Sequence, residues 1–179
     1  MKKSPTFLCI SSYFKGEDFL KSCKEAGATV YLLTDKTLEH ADWPSESIDE
    51  FFFMDSESEI QGEWNMEHLI NGLAYTMRSK KIDRIVALDD FDVEKGAALR
   101  EHFRIPGMGQ TTYRYFRDKL AMRMKASEAG IPVPAFSGLF NDEEIHEFTQ
   151  TVSAPWMVKP RAEASAAGIK KVHNTEELW

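Results

Sequence analysis

Lys159 is the side chain whose type and place most invite chemistry. It ends an apolar run, Trp156-Met157-Val158, and a proline follows at once. An ammonium carried by a buried strand is costly unless an anion meets it, and a polyphosphate is such an anion. Next comes a loop of small residues over 161–168, opened by Arg161, carrying Ser165 and closed by Gly168. A loop of this kind offers backbone N–H groups to phosphate oxygens and can fold over a bound ligand. An ordinary long hairpin has the same pattern.

A second basic group precedes it: Arg117-Asp118-Lys119-Leu120-Ala121-Met122-Arg123. Helical spacing puts Lys119 and Arg123 on one face. A solvated charged face fits that spacing as well as an anion site does. Asp89, Asp90 and Asp92 follow a predicted strand at its carboxyl end, where open α/β sheets place ligands. Asp90 is the candidate for a substrate contact, and Asp92 is the candidate cap of the next helix. Asp35 ends another strand, where a ribose-binding acid would sit. The first strand–helix turn, however, reads Ser11-Ser12-Tyr13-Phe14-Lys15-Gly16 and lacks the G-x-G-x-x-G run of a dinucleotide cradle. Gly107-x-Gly109 reads as a flexible turn. No Walker, HExxH or GxSxG motif and no metal-ligand spacing occurs, so no metal ligand is assigned.

The elements that must position these residues follow from periodicity. Strands are predicted over 6–11, 29–33, 50–54 and 84–88, each a near-continuous apolar run of the kind buried in a parallel sheet. Helices are predicted over 16–26, 66–80 and 93–103, the first closed by Gly27. The expected first domain is therefore α/β, a parallel sheet with flanking helices, over 1–108, with a boundary at Ile105-Pro106-Gly107-Met108-Gly109. The second region, 109–179, opens with one long helix over 113–129, in which Phe116, Leu120 and Met124 share a face. A short strand over 135–139 comes next, then a helix capped by Asn141, the hairpin, and a last helix capped by Asn174 or Thr175.

The chain has 179 residues, two cysteines and a net charge of -7. Acidity of that size argues against a nucleic-acid partner, since phosphate backbones select basic faces. No apolar run approaches the ~20 residues of a membrane span, so no membrane partner is expected. Cys9 and Cys23 form no disulfide framework, and a cytoplasmic location follows.

Taken together, Arg117 to Arg123, Glu128-Ala129-Gly130-Ile131-Pro132-Val133-Pro134 and the hairpin segment resemble the opening of an ATP-grasp domain. The preceding α/β part, with Leu88-Asp89-Asp90-Phe91 and Ile105-Pro106-Gly107, is similar to the Rossmann-like pre-ATP-grasp domain. The likeness is greatest to biotin-carboxylase-like and carboxylate–amine ligase members. It implies a partial α+β ATP-grasp subdomain after the first domain. It also implies ATP and Mg²⁺ as cofactors and a small carboxylate substrate activated as an acyl phosphate for attack by an amine or another nucleophile. Lys119 and Lys159 would contact the phosphates, and the loop with Arg161, Ser165 and Gly168 would close over them. Val158 would lie near the adenine, and Asp90 would face the acceptor. The family's Mg²⁺ ligands come downstream of the chain end, so the 179-residue piece alone is expected to be inactive. A non-catalytic α/β binding module is the alternative, with Lys119 and Lys159 as surface charges. The exposed edge of the hairpin gives one further expectation, a homodimer.

Overall fold

A computed structural model describes residues 4–162 and 168–179. They form two compact units, one ending at Tyr113 and one running from Arg114 to Trp179.

The first unit is built on β1 (Thr6–Ser11), β2 (Thr29–Asp35), β3 (Glu50–Met54) and β4 (Arg84–Ala87), paired in parallel in the order β3-β2-β1-β4. Three helices connect them or follow them: α1 (Glu17–Glu25), α2 (Met66–Thr76) and α3 (Val93–Phe103). The apolar runs become strands because both faces of the sheet are covered. Along β1, Leu8 and Ile10 enter one core with Leu69, Leu73, Ile85 and Leu99, while Cys9 enters the other with Leu20, Val30 and Leu32. Each such side chain contributes roughly 1.5–3 kcal/mol on leaving water. Burial also pushes the Cys9 thiol up to about 12, with Cys23 adding to the effect. Cys9 is thus an inert core residue.

The chain steps from β1 to β2 to β3 on one side, then crosses back to place β4 on the other side of β1. The carboxyl ends of β1 and β4 therefore flank the point where the winding reverses, the position at which open sheets leave a crevice.

The glycines at 107 and 109 pack rather than flex. Gly107 has φ +147, and a Cβ there would meet Arg100 Cδ at 2.6 Å. Arg100 is buried and donates from Nη1 to the Ile85 carbonyl at 2.7 Å and from Nε to the Met108 carbonyl at 2.8 Å. The turn is thus clamped to β4 through a guanidinium.

The second unit contains the latter half of α4 (Gln110–Arg117), then α5 (Lys119–Glu128), α6 (Asp142–Thr151), the antiparallel pair β5 (Trp156–Val158) and β6 (Lys170–Val172), and α7 (Thr175–Leu178). The cap expected at Asn141 is present, accepting from the Glu143 and Glu144 N–H groups, and of the two candidates for the last helix, Asn174 and Thr175, it is Asn174 that caps, accepting from Glu177 N–H. The strand expected over 135–139 is not formed, and that stretch is irregular. No helix among the described residues is long and apolar enough to cross a membrane.

Candidate functional site

The long helix expected over 113–129 is two helices. Asp118 interrupts it with extended backbone (φ -85, ψ 114), and its Oδ1 accepts from Leu120 N–H at 3.0 Å and from Ala121 N–H at 3.3 Å. An aspartate that can cap offers the backbone an alternative to helix continuation, and here the alternative wins. Lys119 thereby becomes the first residue of α5, and Arg123 lies one turn further on.

Lys159 directly follows β5. The register Trp156↔Val172, Met157↔Lys171 and Val158↔Lys170 forms the hairpin that the sequence predicts. The strand is less buried than expected. Trp156 and Val158 are half-buried, Met157 is 51% exposed, and Lys159 itself is exposed rather than enclosed. Its ammonium is not sealed from water, so burial alone does not demand an anion there. The case for an anion rests instead on what Lys159 shares a cavity with.

That cavity lies within the second unit and measures about 550 Å³. Among the described residues, four cationic side chains line it: Lys119, Arg123, Lys159 and Arg161. Its walls include Leu120, Phe136, Ile145, Val158 and Leu178, and no carboxylate is among its described lining residues. Of the candidates named from sequence, Lys119, Val158, Lys159 and Arg161 are brought together. Gly168 sits at the return of the hairpin with φ +67, where a Cβ would meet Pro160 Cγ at 2.7 Å. This left-handed, crowded position excludes a side chain. Ser165 lies outside the described residues.

Asp118 is the residue that spacing missed. Its Oδ2 accepts a hydrogen bond from Arg161 Nη2, and the Lys119 N–H donates to the Arg161 carbonyl at 2.8 Å. The Arg161 guanidinium also lies over the Phe140 ring, 5.5 Å from its centroid. The hydrogen bond from Arg161 is the main cause holding the Asp118 carboxyl below its usual range; burial opposes it and the helix N–H groups assist. An aspartate directly ahead of a basic helix start was the available signal.

In the first unit, Asp90 lies exposed in a 3-10 turn (Asp90–Asp92) after β4. A second cavity of about 470 Å³ lies in this unit, lined by Trp64, Phe91, Lys95 and others; Phe91, the neighbour of Asp90, reaches it and Asp90 does not. Asp92 stands at the N-cap position of α3, as expected, but its side chain makes no cap hydrogen bond there; Asp89 caps the 3-10 turn, accepting from Phe91 N–H at 3.0 Å. Asp92 is fully buried and accepts instead from the Ser12 N–H, the Ser12 hydroxyl and the Lys95 ammonium. Asp35, also fully buried, accepts from Thr37, Ser56, Gly62 and Trp64. With those partners it is a structural hub, not a ribose acceptor.

No family model matches the chain. It is 32% identical over 94 residues to the L-arginine-specific L-amino acid ligase of Bacillus subtilis, covering 52% of this chain and 23% of that protein. It is 32% identical over 107 residues to D-alanine–D-alanine ligase B of Pseudomonas putida, covering 57% of this chain and 34% of that one. The chain thus spans about a quarter to a third of the length of these curated relatives. Among solved structures, the L-amino acid ligase from Bacillus licheniformis matches with a TM-score of 0.70 at 17% identity, over 99% of this chain and 40% of that one. The biotin carboxylase domain of the Hydrogenobacter thermophilus 2-oxoglutarate carboxylase matches with a TM-score of 0.72 at 23% identity, over 99% of this chain and 39% of that one. At these identities the structures show a shared fold.

Proposed function

We propose that this chain, whose homologues are ATP-grasp ligases, belongs to an enzyme that uses ATP to activate a carboxylate as an acyl phosphate for attack by an amine. The observation that carries this reading is the cavity of the second unit, where Lys119, Arg123, Lys159 and Arg161 meet apolar walls without a carboxylate among the described lining residues. A ligand that is flat and apolar at one end and polyanionic at the other fits that lining. ATP is such a ligand, with its base against Val158 and Phe136 and its phosphates toward the cations.

The chemistry expected of such a site is positioning and charge neutralisation. In phosphoryl transfer the protein stabilises charge on the transferring oxygens and aligns the attacking group, with little covalent help. Lys119 and Lys159 would supply that charge from two segments of the chain. The described residues contain no cluster of three His, Cys, Asp or Glu able to hold a metal ion. Mg²⁺ is therefore given no ligands among the described residues, and no step is routed through it. Asp90 is retained as the acceptor-side candidate of the first unit, and a cytoplasmic location accompanies the reading.

The test is calorimetric titration of the full-length protein with ATP and magnesium. Binding is expected, and Lys159→Ala should weaken it at least about tenfold, a loss of one phosphate-directed charge. Unchanged affinity in Lys159→Ala would remove the basis of the proposal.

A further inference from the structure

Resting on that reading of the cavity, we infer that Asp118 is a positioning residue that braces the two lysines, and that Arg161 is its partner in the brace, not a ligand of the phosphates. The two oxygens of Asp118 have separate tasks. Oδ1 takes both helix N–H groups, those of Leu120 and Ala121, which is all that a cap requires. Oδ2 takes the Arg161 guanidinium. A serine or asparagine could cap α5; only a carboxylate can do so and also hold an arginine.

The bond to Arg161 joins two segments that carry the cations. Lys119 is the next residue after Asp118, and Lys159 lies two positions before Arg161. The backbone bond from Lys119 N–H to the Arg161 carbonyl closes the same junction from the other side. Side chain and main chain thus form a two-point link between the start of α5 and the segment leaving β5. Asp118 is 8% exposed, so its half of the ion pair is shielded and less screened than a surface pair. The guanidinium, held by Asp118 and stacked on Phe140, is committed to this junction. Lys119, Arg123 and Lys159 line the same cavity and are the cations assigned here to the polyphosphate.

The brace is tested in the full-length protein by ATP titration of Asp118→Ser, Arg161→Ala, the double variant and Lys159→Ala, each with a melting temperature. Serine preserves the cap, so Asp118→Ser should melt close to the parent protein. It should nonetheless bind ATP about tenfold more weakly, because the lysines lose their mutual registration. Arg161→Ala should show a similar loss, and the double variant should be no weaker than either single, the signature of two groups acting as one unit. Wild-type affinity in Asp118→Ser overturns the inference. So does a double variant whose loss is the product of the two single losses, since Arg161 would then touch the nucleotide itself. If Asp118→Ser does not fold, Arg161→Ala carries the test alone: unchanged ATP affinity overturns the brace. If Lys159→Ala loses ATP and Asp118→Ser does not, only the brace fails; if Lys159→Ala retains ATP, the reading of the cavity fails as well.

Discussion

The main-chain N–H of Lys119 donates to the carbonyl of Arg161 at 2.8 Å. Lys119 is the first residue of α5, a position whose N–H has no partner inside the helix and must find one elsewhere. It finds one on the segment that follows β5, so a helix start and a hairpin arm of the second unit are joined at the backbone.

This bond can be tested apart from the lysine side chain. Proline is compatible with the first position of a helix, and the extended backbone of Asp118 suits a residue before proline. Lys119→Ala and Lys119→Pro both remove the ammonium, but only proline removes the N–H. Lys119→Pro should be less stable than Lys119→Ala by about 1 kcal/mol, measured by chemical denaturation. Equal stabilities would mean that the bond contributes nothing.

Asp35 tests the first unit. Burial alone would raise its pKa, but the hydrogen bonds from Ser56, Trp64 and Thr37 together outweigh burial and bring the carboxyl down to about 2. A carboxyl with a depressed folded pKa stabilises the fold above its unfolded pKa, and that stability is lost as pH falls through the folded value. The contribution, roughly 2 kcal/mol, should therefore fade between about pH 4 and pH 2. Asp35→Asn places an amide where donors converge, and should destabilise the protein by about 2 kcal/mol at neutral pH. It should also flatten the acid limb of the stability profile. An unaltered acid limb would show that Asp35 is not the titrating hub.

Two glycines should respond in opposite directions. Gly107→Ala puts a methyl 2.6 Å from Arg100 Cδ at φ +147 and should cost about 2 kcal/mol. Gly72 lies in α2, and an added methyl there would meet nothing within 4 Å. Gly72→Ala should therefore stabilise by up to about 1 kcal/mol through helix propensity. Thermal denaturation of the pair decides the matter, and a shift of the same sign in both would contradict the packing described for the turn at Gly107.

Elements with a local signal could be read directly from the order of residues. Near-continuous apolar runs marked β1 to β4 as strands covered on both faces, and polar residues ahead of amphipathic turns marked the caps at Asn141 and Asn174. The tail pattern marked the hairpin. These features depend on neighbours within one or two turns of chain, so spacing exposes them. The destination of each charge was a different matter, and it took the folded molecule to set it. Asp35, Asp89 and Asp92 read alike as carboxylates at strand ends, yet one collects four residues as donors, one caps a turn and one ties β1 to α3. Asp118 sits in what periodicity reads as uninterrupted helix, and its partner Arg161 is 43 positions away. A carboxylate's role is set by the donor that reaches it, and in these cases folding, not sequence proximity, brings the donor there.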